Sequence, residues 1–139
     1  MRRATLSFLA GFVSTLVFHQ TVLLLFKVVH LTTRSPWAMK PVPPFGVPSV
    51  ISLAFWGGVW GIVLIAAIAR ARDSSYWLTA ALFGGIFPTL VAGLVIQPLK
   101  GQPIGGGHPG SALLLGLAIN AVWGLGTAIL YRLFSGRQR

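Results

Sequence analysis

Cysteine is absent from these 139 residues, so there is no disulfide framework, no thiolate nucleophile and no thiolate metal ligand. Acid is nearly absent as well: Asp73 stands alone against 11 Lys and Arg. One carboxylate side chain excludes a paired-acid hydrolase and a carboxylate-bridged metal pair. It also leaves nothing outside the turn at 70–75 to orient a histidine in a catalytic triad. No Gly-rich loop carries the Lys and Ser/Thr spacing that cradles phosphate, and GGGHPG at 105–110 reads as a flexible turn. These gaps predict a protein that is not an enzyme and carries no cofactor.

Charge of either sign is scarce at 9%, whereas 55% of residues are hydrophobic and the mean hydropathy is +0.80. A soluble domain would not stay dissolved with so few charges, so lipid must be the solvent for most of this surface. The net charge of +10 would suggest nucleic acid in a soluble protein. Here the basic residues sit at the ends of apolar runs, as topology signals and headgroup contacts do. With no basic–aromatic recognition pattern, the expected partners are membrane lipids and not nucleic acid.

Four apolar runs, at about 4–26, 49–69, 76–99 and 110–134, are each long enough to cross a bilayer. The expected fold is all-α: one transmembrane domain over 1–139, a bundle of four transmembrane helices. The start MRRATLSFLAGFVSTLVFHQ has the charged head of a signal peptide, but apolar character continues to Phe26, so it reads as the first span. Connector 31–47 is Pro-rich and favours extended backbone, with Trp37 and Phe45 apolar enough to hold it against the membrane surface or the helix ends. Connector 100–109 is Gly/Pro-rich. Arg2, Arg3, Arg70, Arg72, Arg132, Arg137 and Arg139 fall on one side, against Lys27, Arg34, Lys40 and Lys100 on the other. The positive-inside rule then places both termini in the cytoplasm and the two long connectors outside.

Small and polar residues recur every fourth position, which places them on one helix face. The fourth span carries Ala112, Gly116, Asn120, Gly124 and Ala128; the third carries Gly85, Thr89, Gly93 and Gln97; the second has Ala54, Gly57, Gly58 and Gly61. Such faces let helices approach backbone to backbone, so Gly58, Gly61, Gly85, Gly93, Gly116 and Gly124 are the expected packing positions. Pro88 removes a backbone donor and predicts a kink near Gly84 and Gly85. AGFVSTLV at 10–17 matches GGIFPTLV at 84–91, and VWG at 59–61 returns at 122–124. These matches raise a parallel repeat of two hairpins, although apolar sequences match easily by chance.

The polar side of the first span runs Ser7, Gly11, Thr15, His19. His19 lies about 12 Å below Lys27 at 1.5 Å per residue, and Asn120 lies about 13 to 15 Å into its own span. Trp56 and Thr89 fall near the same depth. An intramembrane polar cluster of His19, Asn120, Trp56 and Thr89 is therefore expected, with His19 hydrogen-bonded to Asn120. It reads either as a ligand or proton site or as a hydrogen bond that holds the bundle, the second being favoured. Gln20, on a different face, is left for another helix or a neighbouring subunit. No metal site is expected, because His19 and His30 are separated by roughly 16 Å along one helix. Arg34, Lys40, Lys100 and His108 would form a cationic outer mouth if the connectors bring them together, and otherwise are scattered solvated charges.

The segments FGVPSVISLAFWGGVWG (45–61), FGGIFPTLVAGLVIQPLKGQP (83–103) and NAVWGLGTAILYRL (120–133) resemble small four-helix inner-membrane proteins of proteobacteria, a group with no known activity. The resemblance implies a bacterial cytoplasmic membrane and carries over no functional residue. The expected role is packing, as a homo-oligomer or as an accessory subunit beside a membrane-protein partner. The competing reading is a channel or transporter for protons or a small solute, anions included, using His19 and Asn120. A membrane enzyme comes third.

Overall fold

The computed structural model describes residues 1–107 and 109–136. Four helices, each long and apolar enough to cross a membrane, make up most of it: α1 (Arg2–Val28), α2 (Ser49–Ala67), α3 (Asp73–Leu99) and α4 (Pro109–Ser135). The protein is all-α apart from one small hairpin, and its helix ends lie within a few residues of the apolar runs in the sequence. Arg137 and Arg139 lie outside the described residues.

Helix ends follow local chemistry. α1 stops where His30 takes a left-handed conformation (φ 59°). There Leu31 N–H donates to the Phe26 carbonyl at 2.8 Å and His30 N–H to that of Lys27 at 3.1 Å, which satisfies the last carbonyls. α3 ends the same way at Gly101 (φ +71°), with Gln102 N–H on Gln97 and Gly101 N–H on Pro98. α2 starts directly after Pro48, where a missing N–H costs nothing.

The connector before α2 is less open than the proline content predicts. Pro41–Val42 (β1) and Val47–Pro48 (β2) pair antiparallel, and the Pro43–Pro44 bond in the turn is cis. Trp37 anchors the preceding stretch onto α1. Its backbone N–H donates to Gln20 Oε1 at 2.8 Å and its indole to the Leu16 carbonyl at 2.9 Å. Phe45, at the hairpin tip, is exposed.

The four helices form two tight antiparallel pairs, α1 with α2 and α3 with α4, joined chiefly through α1 and α4. In the first pair, a Cβ on Gly11 would run into the Gly57 carbonyl and lie 2.9 Å from Gly61 Cα. In the second, a Cβ on Gly84 would lie 2.7 Å from Gly124 Cα and 3.0 Å from the Asn120 carbonyl. Each seam is backbone against backbone, a contact that only glycine permits. A core of Leu64, Ile65, Ile68, Tyr76, Ala80, Trp123 and Ala128 fills the half of the bundle nearer the termini, with Trp60, Trp77, Phe83 and Tyr131 packed around it.

Two helices are interrupted. Residues 15–19 of α1 and 92–96 of α3 form π turns, in which Gln20 N–H reaches back to the Thr15 carbonyl and Gln97 N–H to that of Ala92. Each inserts one residue into the helical register. The interruption in α3 comes one turn beyond Pro88.

Candidate functional site

The most connected polar group in the bundle lies where α1 meets α4. The Trp123 indole donates to the Gly11 carbonyl at 3.1 Å, and Thr15 Oγ1 donates to the same carbonyl at 2.9 Å. In return, the Trp123 carbonyl accepts from Ser14 Oγ at 2.7 Å and from Thr127 Oγ1 at 2.9 Å. All four side chains are buried. Hydroxyls that bond carbonyls in their own helix or the next can sit in an apolar interior at little cost. Ser14 and Thr127 lie off the every-fourth lines of the sequence. The signal that would have found them is the pairing of SerThr at 14–15 with Trp123 and Thr127 one turn apart.

Asn120 and Thr89 come together between α3 and α4. The Asn120 amide donates to Thr89 Oγ1 at 2.9 Å, and Thr89 is buried. Gly116 makes room for that side chain: a Cβ there would lie 2.9 Å from Thr89 Cγ2.

His19 does not join this pair, contrary to the sequence expectation. Its Nδ1 lies 3.2 Å from Gln20 Nε2, and it is Gln20 that is buried, at 2% exposure. The physical reason is the π turn. The inward line Ser7, Gly11, Thr15 continues five residues on, at Gln20, instead of four residues on, at His19. Gln20 thus serves the protein's own connector through Trp37, and no neighbouring subunit is needed to explain it.

Trp56 also departs from the expected cluster. It is 58% exposed and packs edge-to-face on Phe55, ring centroids 5.6 Å apart. Ala54, Gly58 and Gly61 occupy the buried face of α2 and turn Trp56 outward.

Of the six packing glycines, five meet a neighbour. Gly58 faces the Phe8 ring, Gly61 the Ser7 carbonyl and Gly11, Gly85 the Leu117 carbonyl and Ala121, Gly116 the Thr89 methyl, and Gly124 the Ala80 carbonyl and Gly84. Gly93 is the correction: a Cβ there would meet nothing within 4 Å. Beyond the Thr89–Gly116 level the line on α4 also fails, and Ala112 is exposed. No residue of α3 from 92 to 96 is buried, so the two helices no longer cover each other at this level.

At the connector end, Arg34, Lys40 and Lys100 are each exposed. His108 lies outside the described residues. Lys27 is engaged nearby, donating to Ser35 Oγ at 2.9 Å. Among the described residues no three His, Asp or Glu side chains come together. No protein-family model, no curated protein and no solved structure matches this chain.

Proposed function

We propose that this protein is a multi-pass protein of the bacterial cytoplasmic membrane that works by helix packing, as a homo-oligomer or as an accessory subunit of a larger membrane complex. The carrying observation is how the interior is used. Ser14, Thr15, Asn120, Trp123 and Thr127 each donate to another group of the bundle, and both seams are closed backbone to backbone. Binding capacity is left at the periphery instead. Gly93 presents a smooth patch on α3, where an added Cβ would meet nothing within 4 Å. A second helix would suit that face.

The orientation follows from charge. Arg2, Arg3, Arg70, Arg72 and Arg132 at the end with the termini put that end in the cytoplasm. A duplicated hairpin is part of the same reading. Its support is that each hairpin closes on a glycine seam and that α1 and α3 share both a π turn and the same kind of helix end, although these features fall at offsets different from the 74 residues between positions 10 and 84 of the sequence match.

The test is the assembly state in mild detergent, by native mass spectrometry on the wild type and Gly93→Leu. A species larger than the 14.8 kDa chain, reduced by Gly93→Leu without loss of thermal stability, is the expected result. A lone monomer with no copurifying membrane protein would overturn the reading. The competing channel reading rests on the His19–Gln20 contact. It requires proton or solute flux in proteoliposomes that His19→Gln and His19→Leu both abolish.

A further inference from the structure

At the end of the bundle where α1 starts and α4 stops, the helix ends leave a hollow of about 840 Å³. Arg2, Arg3, Arg132 and Tyr131 line it together with the apolar Leu6 and Ile65. No acidic side chain lines it, and Asp73, the one acid in the chain, is exposed. Arg2, Arg3 and Arg132 are exposed and border one space with no acid among them, so an anion entering it would be attracted by all three.

Two of the three are already placed. The Arg132 guanidinium carbon sits 3.9 Å from the centroid of the Tyr76 ring and 4.8 Å from that of Trp77. Tyr76 is itself buried and pinned, its hydroxyl donating to the Ala128 carbonyl at 3.1 Å. Arg3 reaches the Ile65 carbonyl at 3.4 Å and also borders an adjoining hollow of about 710 Å³ that Arg70 shares. Pre-placed groups lose less freedom on binding. A guanidinium fork matches the oxygens of a phosphate two at a time. The setting narrows the ligand further: arginines beside apolar side chains, at a helix end flanked by Tyr76, Trp77 and Tyr131, suit a headgroup that carries acyl chains.

We propose that this hollow is a binding site for a phosphate-bearing anion, held by Arg2, Arg3 and Arg132. The phosphate belongs either to an anionic phospholipid of the surrounding leaflet or to a free solute from the aqueous side. The proposal does not depend on the packing role.

The test titrates purified full-length protein in detergent with phosphatidylglycerol, with phosphatidylcholine and, separately, with inorganic phosphate, read by native mass spectrometry. Arg2→Gln/Arg132→Gln is compared with Arg34→Gln/Lys40→Gln at the opposite end. Phosphatidylglycerol binding about thirtyfold weaker in the first pair and unchanged in the second identifies the lipid as the source. Binding of inorganic phosphate that blocks the lipid, or replaces it altogether, and that is lost in the first pair identifies the free anion. Equal binding in both pairs, equal binding of phosphatidylcholine, or no binding of any probe would overturn the site. Because Arg132→Gln also removes a ring contact, a photoactivatable phosphatidylglycerol is applied to the wild type, with inorganic phosphate as competitor. Labelling within residues 2–6 and 131–136, or its suppression by phosphate, supports the site, and labelling confined to 29–48 counts against it.

Discussion

Trp123 and Gly11, 112 positions apart in sequence, are joined by a hydrogen bond of 3.1 Å from the indole to the backbone carbonyl. Each residue belongs to a different helix pair, so this bond fastens one pair to the other. Gly11 is also a contact point of its own pair, pressed against Gly57 and Gly61. One residue of α1 thereby touches both α2 and α4.

Trp123→Phe removes the donor together with part of the indole, and the Gly11 carbonyl keeps its bond from Thr15. The expected loss, hydrogen bond and small cavity together, is about 1–2 kcal/mol. Trp123→Ala empties a buried site that is 3% exposed, and about 3–5 kcal/mol is expected. Thermal unfolding in detergent ranks the two. Equal losses would mean that the hydrogen bond, and not the ring, carries the contact.

Gly124→Leu and Gly61→Leu should each cost at least the roughly 1–3 kcal/mol of an overpacked core. The clash is with backbone, the Ala80 carbonyl in one case and that of Ser7 in the other, and backbone has no rotamer to move into. Gly93→Leu should leave the folded yield unchanged, as should Leu115→Ala to a lesser degree. Fluorescence-detected gel filtration reads all four, and poor yield for Gly93→Leu would place α3 against a partner even within the folding monomer.

Asn120 and Thr89 should be coupled. A double-mutant cycle with Asn120→Leu and Thr89→Val is expected to give about 0.6 kcal/mol, and not more than about 1.7 kcal/mol, of interaction energy. A cycle of His19→Leu with Asn120→Leu should give none, since His19 pairs with Gln20. Coupling in the second cycle and not the first would restore the pairing that the face pattern alone suggests.

Gln20→Leu removes the acceptor for Trp37 N–H, whereas His19→Leu leaves that bond in place. Amide exchange across 37–50 should therefore quicken in Gln20→Leu and change little in His19→Leu, with the helices protected in both. The opposite order would place His19, not Gln20, beneath the connector.

Reporter fusions at residues 36, 73, 105 and the C-terminus should read outside, cytoplasm, outside and cytoplasm. A periplasmic signal at Asp73 would reverse the orientation and move the arginine-lined hollow to the other leaflet.

The number, position and length of the helices were legible in the sequence because the constraint is one-dimensional. Lipid satisfies no backbone polar group, so each crossing must be a continuous apolar helix of sufficient length. The seam residues were legible for a related reason. Gly61, Gly85, Gly116 and Gly124 are the positions where a side chain would meet backbone or a close neighbour. What the sequence did not reveal is which side chains face inward past an interruption. Rotation around a helix accumulates at about 100° per residue, so one inserted residue reassigns every face beyond it. The turn at 15–19 exchanged His19 for Gln20, whereas no residue of 92–96 is buried, and Gly93 has no neighbour there. Trp56 turned outward because Ala54, Gly58 and Gly61 compete for the same interior, and smaller residues allow the closer approach. The Trp123 network leaves a trace in the sequence at Ser14, Thr15 and Thr127, but it closes only when the two helix pairs dock and Ser14, Gly11 and Trp123 can meet.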